Sequence, residues 1–296
     1  MAQGPDAAAT RPSTVGQAIR AAERLLEIAG CATPRGDAQW IAAYALGMSR
    51  AALFVDADRP FPEDKRDAFE FSVARRARRE PLGYVVGTMN FRGIELEVGP
   101  GALIPRPETE VIAGRAIERA NERSRATVVD VGTGSGAIAL AVAAEVPSAR
   151  VFATEPSAAA RAWALRNLAR TALRVTLLPG EMLDPLHPAL GGAVDVIVSN
   201  PPYVPDGEWE SLPPEVRDHE PREAVCGGKD GLDVLIRLLE DAPRWLAVGG
   251  WLIVELDASQ AGKVAKLLGV VGYTDVVVTA DLAGRERVVE GRWIGV

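Results

Sequence analysis

From residue 127 to the carboxyl end, short β-branched runs alternate with stretches of helical periodicity. Strands are expected at 127–132, 150–155, 174–179, 194–199, 251–256, 274–280 and 287–293, seven in all. Helices are expected between them at 137–145, 158–169, 232–246 and 260–268. Few folds accept such a pattern. Successive strands joined by helices form a mostly parallel sheet, with right-handed crossovers covering both faces. The fold class is therefore α/β with a seven-stranded, mostly parallel sheet. Ligands of such sheets bind at the carboxyl ends of the strands.

The first third of the 296-residue chain has a different texture. Residues 1–12 are rich in Ala, Pro and Gly and are expected to be a disordered tail. Thr14 and Gln17 have capping-box spacing, followed by Ile19, Ala22, Leu25, Leu26 and Ile28 at helical intervals. Further helices fit 34–46, 49–55 and 62–79, so 13–80 reads as a small all-helical domain. Its last helix carries Arg75, Arg76, Arg78 and Arg79. These are either a solvated helix end complementing the dipole or a contact for an acidic partner. Between 81 and 104, Ile94, Leu96 and Val98 alternate with Glu95 and Glu97, which marks a β-hairpin linker. A helix follows over 109–122, and 105–296 forms the α/β domain.

Composition removes several function classes. The net charge of −7 argues against a broad nucleic-acid-binding face. Two histidines make a zinc centre improbable, and no metal is expected. Cys31 and Cys226 are too few and too far apart for a disulfide framework, which fits a reducing cytoplasm. No secretory signal opens the chain, and the most apolar stretch, 245–256, is too short to span a bilayer.

Two motifs carry chemistry. The strand at 194–199 stops at Asn200, because Pro201 and Pro202 cannot continue a ladder. Asn200 offers a side-chain acceptor, the prolines offer carbonyls without N–H donors, and Tyr203 offers a flat ring. Acceptors converging beside an aromatic face suit a planar group bearing an NH2, as in an amide or adenine. That nitrogen is a poor nucleophile because its lone pair is delocalised. Accepting both of its hydrogens pins the group and can favour the geometry in which the lone pair attacks. An Asn-capped proline turn is the plainer alternative.

The second motif is a glycine loop between a strand and a helix: Asp130, then Gly132, Thr133, Gly134, Ser135 and Gly136. Glycines permit close backbone approach to a ligand, and the helix start supplies free N–H groups. Glu155 ends the next strand, 19 residues past Gly136, where an acid accepts from ribose hydroxyls. The loop alone also fits a nicotinamide dinucleotide. An acid two residues before the first glycine resembles the first motif of class I methyltransferases that use S-adenosylmethionine (SAM). There it helps orient the ammonium-bearing methionine end. Glu181 and Met182 resemble the position that lines adenine.

Beyond these motifs, the chain resembles the protein-(glutamine-N5) methyltransferases of peptide-chain release factors, the PrmC/HemK family. The resemblance spans 81–296 and, more loosely, the helical domain. It rests on Pro81-Leu82-Gly83-Tyr84, on Leu103-Ile104-Pro105-Arg106-Pro107-Glu108-Thr109-Glu110, on His219-Glu220-Pro221-Arg222-Glu223-Ala224 with Gly227-Gly228 and Asp230-Gly231-Leu232, and on the run from Asp281 to Val289. It departs at Glu155, where Asp is usual, at Met182, where some members have an aromatic, and at Asp257, where Gly is common.

The resemblance implies a Rossmann-like methyltransferase sheet with a helical substrate-recognition domain. It implies SAM held by 132–136, Glu155 and Met182. The substrate is then the glutamine of a Gly-Gly-Gln loop in a release factor. Its amide is bound by Asn200 and Pro201, with Pro202 alongside and Tyr203 packed on its plane. Expected with this are a cytoplasmic monomer, a protein partner, and neither a membrane nor a nucleic-acid substrate. The alternatives are an adenine-N6 nucleic-acid methyltransferase, which needs a basic groove, and a paralogue acting on another protein. A nicotinamide oxidoreductase leaves the Asn200 elbow without a task, and a non-catalytic SAM-fold binding module leaves the whole constellation without one.

Overall fold

Thr14 caps the first helix by accepting from the Gln17 N–H at 3.3 Å, while the Gln17 side chain reaches back to the Ser13 N–H at 2.9 Å. In this computed structural model the described residues are 13–295; the expected tail at 1–12 lies outside them. They divide after Gly87 into two compact units.

The first unit contains α1 (Val15–Ile28), α2 (Pro34–Leu46), α3 (Arg50–Val55), α4 (Glu63–Ala77) and α5 (Leu82–Val86). Leu26, Ile41, Leu53, Phe69, Val73 and Val85 meet in one core. The arginines at the end of α4 mostly turn inward. Arg76 is buried and pairs with the buried Asp37 of α2 at 2.7 Å. Arg75 binds Glu80 and donates to the carbonyls of Tyr84 and Val85. The buried Arg76 therefore does not form the partner surface considered from the sequence, and Arg75 is engaged within its own unit. The same contacts explain why 82–86 is helical and not part of the hairpin. Arg75 satisfies carbonyls that so short a helix leaves open, and Val85 enters the core.

The second unit opens with an antiparallel hairpin, β1 (Thr88–Phe91) and β2 (Ile94–Glu97), and α6 (Thr109–Asn121). The alternating part runs β3 (Thr127–Val131), α7 (Ala137–Glu145), β4 (Arg150–Glu155), α8 (Ala158–Thr171), β5 (Val175–Pro179) and β6 (Val194–Ser199). It continues through α9 (Pro214–Arg217), α10 (Asp233–Asp241), β7 (Leu246–Glu255), α11 (Ala261–Val271), β8 (Tyr273–Ala280) and β9 (Glu286–Trp293). The seven strands lie in the order β5-β4-β3-β6-β7-β9-β8, and only β9 runs against its neighbours. The helix expected over 232–246 stops at Asp241, because Pro243 cannot continue it. β7 consequently begins earlier than expected.

Both sheet faces are buried. Val128, Val196, Val198 and Ile253 face a core with Ile112 and Ala116 of α6 and Leu140 of α7. Val129, Ile197, Leu252 and Val254 face another with Leu235 and Leu239 of α10 and Val264 and Leu268 of α11. The sequence order of strands reverses between β3 and β6, and this switch point opens a crevice at the strands' carboxyl ends. Among the described residues, no helix is long and apolar enough to cross a membrane, and no cluster of His, Cys, Asp or Glu could hold a metal. Cys31 and Cys226 form no disulfide, and the buried Cys31 thiol donates to the Arg76 carbonyl at 3.6 Å.

Candidate active site

The crevice holds a cavity of about 510 Å³. Its wall joins Gly132 and Gly134 of the loop, Glu155 at the end of β4, Glu181 and Met182 after β5, and Asn200, Pro201 and Pro202 after β6. Most of the expected site residues are thus gathered from four strand ends into one space. A hollow of about 640 Å³ lies at the other end of the strands, around Arg150 and Arg174. That is the end at which this architecture does not bind ligands.

Asp130, Thr133, Ser135 and Gly136 do not line the cavity. They build the loop from behind. The Asp130 carboxylate accepts from the Thr133 hydroxyl at 2.6 Å and from the Ala139 N–H in the first turn of α7 at 3.0 Å. Burial pushes this carboxyl up to about 7, against the lowering effect of both hydrogen bonds. Its Oδ1 and the Ser135 Oγ are buried and find no hydrogen-bond partner among the described residues. The Ser135 carbonyl accepts from Asn167 at 2.9 Å, which ties the loop to α8.

Glu155 faces the cavity and also supports the loop. One carboxylate oxygen accepts from the Gly134 N–H at 2.9 Å and the other from the Ser157 N–H at 2.8 Å. Burial raises its pKa and the two N–H groups oppose the rise. Each oxygen keeps a lone pair for a further donor. Gly134 meets Glu155 in a left-handed conformation, φ 60°, that glycine adopts freely. Met182 is also left-handed, φ 52°, and its carbonyl accepts from Thr154 at 2.7 Å. Glu181 is more exposed and binds Arg237 at 2.7 Å.

At the elbow, the Ser199 hydroxyl donates to the Val131 carbonyl at 2.8 Å and clamps β6 to β3. Asn200 Nδ2 donates to the Thr109 hydroxyl at 3.2 Å, so its Oδ1 is left as the acceptor. Among the described residues no donor reaches the Pro201 carbonyl. The next two carbonyls point elsewhere. A Cβ on Gly227 would lie 2.3 Å from the Pro202 oxygen, and one on Gly231 would lie 2.0 Å from the Tyr203 oxygen. Only glycine lets the 227–231 backbone press so closely on the elbow. Tyr203 stands beyond the cavity wall, and its carbonyl accepts from Gln260 at 2.9 Å. Its phenol is pushed up to about 12, first by burial and then by the Glu255 charge.

The other motif segments brace this arrangement. The buried Glu220 pairs with Arg106 and accepts from the Ile104 N–H at 3.1 Å. Arg285 joins Asp281 and Glu108, each at 2.8 Å, and Arg287 reaches Asp257 at 3.2 Å. Residue chemistry alone had not placed Leu103, Pro221, Glu223 and Ala224 in the cavity wall, nor Thr109 behind Asn200. The signal was present in the segments around 103–110 and 219–224, but nothing in their composition says which side chains meet.

Residues 17–87 match the PrmC N-terminal domain, and residues 115–211 match the methyltransferase small domain. Among solved structures, the hMettl16 catalytic domain in complex with MAT2A 3′UTR hairpin 6 is 19% identical, with a TM-score of 0.55, over 76% of this chain and 82% of that one. At that identity the likeness shows the Rossmann-like methyltransferase fold. The release factor glutamine methyltransferase of Mycolicibacterium smegmatis is 46% identical over 92% of this chain and 95% of its own length. The enzyme of that name from Geobacter sulfurreducens is 44% identical over 89% of this chain and 91% of its own. With such identity along nearly the whole of both chains, and with the elbow, loop and bracing motifs all in place, the protein belongs to the release factor glutamine methyltransferases.

Proposed function

We propose that this protein transfers a methyl group from SAM to the side-chain amide nitrogen (N5) of the Gly-Gly-Gln glutamine in peptide-chain release factors. The observation that carries this is the elbow: among the described residues no donor reaches Asn200 Oδ1 or the Pro201 carbonyl, and both lie in the same cavity as the glycine loop and Glu155.

The cavity fits SAM by volume, lying within the roughly 300–1,000 Å³ range of small-molecule sites. Its donor set fits too. Glu155 keeps lone pairs for ribose hydroxyls, Met182 gives an apolar face for adenine, and the loop offers backbone groups to the methionine end. When bound, SAM supplies an electrophilic methyl on its sulfonium. The chain's residues do the rest by alignment. Asn200 and Pro201 accept both hydrogens of the glutamine NH2, hold it flat and turn its nitrogen toward the donor. The proton leaves after transfer, which needs no side-chain base at the nitrogen. Asp130, with Thr133, Ser135 and Gly136, acts on the cofactor through the loop it braces. Tyr203 flanks the elbow from outside the wall.

The relatives' names favour glutamine over adenine, whose amino group would present the same two hydrogens. The absence of a disulfide between Cys31 and Cys226 suits the cytoplasm, where release factors work. The helical unit is assigned to holding the body of the factor, in keeping with its match to the PrmC N-terminal domain.

Mass spectrometry of a release factor incubated with the protein and SAM should show one added methyl on the Gly-Gly-Gln glutamine. An unmodified glutamine, or a methyl elsewhere, refutes the assignment. Asn200→Ala should lower kcat by about 100-fold, the scale of losing one preorganised hydrogen bond at a reacting group. SAM affinity by calorimetry should stay near that of the wild type. Near-normal turnover would remove Asn200 from its assigned role.

A further inference from the structure

Asn200 can receive a substrate amide only when its carboxamide is turned with Oδ1 toward the cavity. The two ends of a carboxamide are nearly equal in shape, so packing alone does not select the turn. A hydrogen-bond partner with a fixed direction is needed.

Thr109, the first residue of α6, supplies the partner. It is buried, and its hydroxyl oxygen lies 3.2 Å from Asn200 Nδ2. A threonine hydroxyl carries a single hydrogen. While it accepts from Asn200, that hydrogen is free to turn elsewhere, and the buried Glu255 carboxylate is the charged group beside it. The sheet brings the three together. Ser199 of β6 pairs with Val254 of β7, so Asn200 and Glu255 are the next residues on adjacent strand ends. Glu255 is only 1% exposed, and its Oε2 has no hydrogen-bond partner among the described residues. Neither Thr109 nor Glu255 lines the cavity, so neither is placed to touch a substrate there.

We propose that Thr109 and Glu255 are positioning residues that set the direction of the Asn200 carboxamide through the chain Asn200 Nδ2 to Thr109 Oγ1 to Glu255. This rests on the reading of Asn200 given above. An ionised Glu255 can only accept, so the chain runs one way and Oδ1 faces the substrate. A protonated Glu255 can itself donate to Thr109. The threonine hydrogen is then free to point at Asn200 and turn the carboxamide round.

The surroundings place this change near neutrality. Burial raises Glu255 to about 7, while the Thr109 hydrogen bond, Arg287 and Arg106 oppose the rise and Glu108 adds to it. The neighbouring Tyr203 feels the same charge and does not ionise in this range. Arg287 also carries Asp257 and Asp281 as partners. The competent form is the deprotonated one, so kcat should rise with pH through a value near 7.

The test compares wild type, Thr109→Val, Thr109→Ser, Glu255→Gln and Asn200→Ala with an intact release factor and SAM, following kcat, KM, SAM affinity by calorimetry, and melting. Thr109→Val should lose about tenfold in kcat, the worth of one hydrogen bond, with SAM affinity retained. Thr109→Ser should recover most of the loss. The acid limb of the wild-type kcat profile should vanish in Glu255→Gln. A normal kcat in Thr109→Val, equal losses in the Val and Ser variants, or an acid limb that persists in Glu255→Gln would each overturn the proposal. If Asn200→Ala is inactive while Thr109→Val is normal, only the positioning role falls. If Asn200→Ala is fully active, the reading of the elbow falls with it.

Discussion

Glu155 lines the cavity and at the same time braces the loop beside it. Its carboxylate accepts from Gly134 and Ser157. Glu155→Ala should therefore weaken SAM binding by about 10- to 100-fold, in line with hydrogen bonds to a charged group. The loop amide of Gly134 should also exchange faster with solvent deuterium. Unchanged affinity by calorimetry would exclude the carboxylate from the SAM site. At this scale the sequence was informative about which residues gather: Gly132, Gly134, Glu155, Met182, Asn200 and Pro201 all reach one cavity. It was silent about facing. Asp130 and Ser135 sit in the same motif as Gly134, yet their side chains are buried behind it. A spacing cannot tell the front of a loop from its back.

Two element-scale contacts hold the elbow and its sheet. The 227–231 segment lies against the Pro202 and Tyr203 carbonyls, where a Cβ has no room. Gly227→Ala should shift the elbow and reduce kcat by at least about tenfold, with the loss of aligned geometry as the cause. A crystal structure of the variant with an unmoved Pro202 and full activity would contradict this. Farther away, α6 is bolted to the sheet by Glu290, which is fully buried and binds both Arg115 and Arg119. The Arg119 guanidinium also stacks 3.6 Å over the Trp251 ring. Glu290→Ala leaves two arginines without their shared carboxylate and should cost about 3 kcal/mol, the scale of breaking a buried pair. Urea denaturation measures it, and a change below about 1 kcal/mol, the worth of a surface pair, would show that the cluster is surface-like. Because α6 begins at Thr109, loosening it should also disturb Asn200.

For the whole molecule, the buried carboxyls give stability a definite pH dependence. Folded Asp130 keeps its proton up to about pH 7, whereas the ordinary aspartate value is 3.8. Between those values the folded state binds more protons than the unfolded one, so rising pH erodes stability. Asp130→Asn removes this contribution while keeping an acceptor for Thr133 and Ala139. Its melting temperature, relative to wild type, should climb as pH is raised from 5 toward 8, by several degrees for about 1–2 kcal/mol. A constant difference across that range would mean that Asp130 is ionised throughout.

The strand and helix alternation, the glycine loop and the proline elbow were set by the sequence itself. Each depends on chain-local rules: side-chain periodicity, the missing N–H of proline, and the freedom of glycine. These sufficed for the sheet and for the place of its crevice. What only the tertiary structure decided is the set of contacts between segments distant along the chain. Thr109 against Asn200, Glu220 against Arg106, and Gly231 against Tyr203 join positions that no local rule relates. The direction of a carboxamide or the inward turn of Arg76 follows from which strands and helices become neighbours in space, and that is a property of the packed whole.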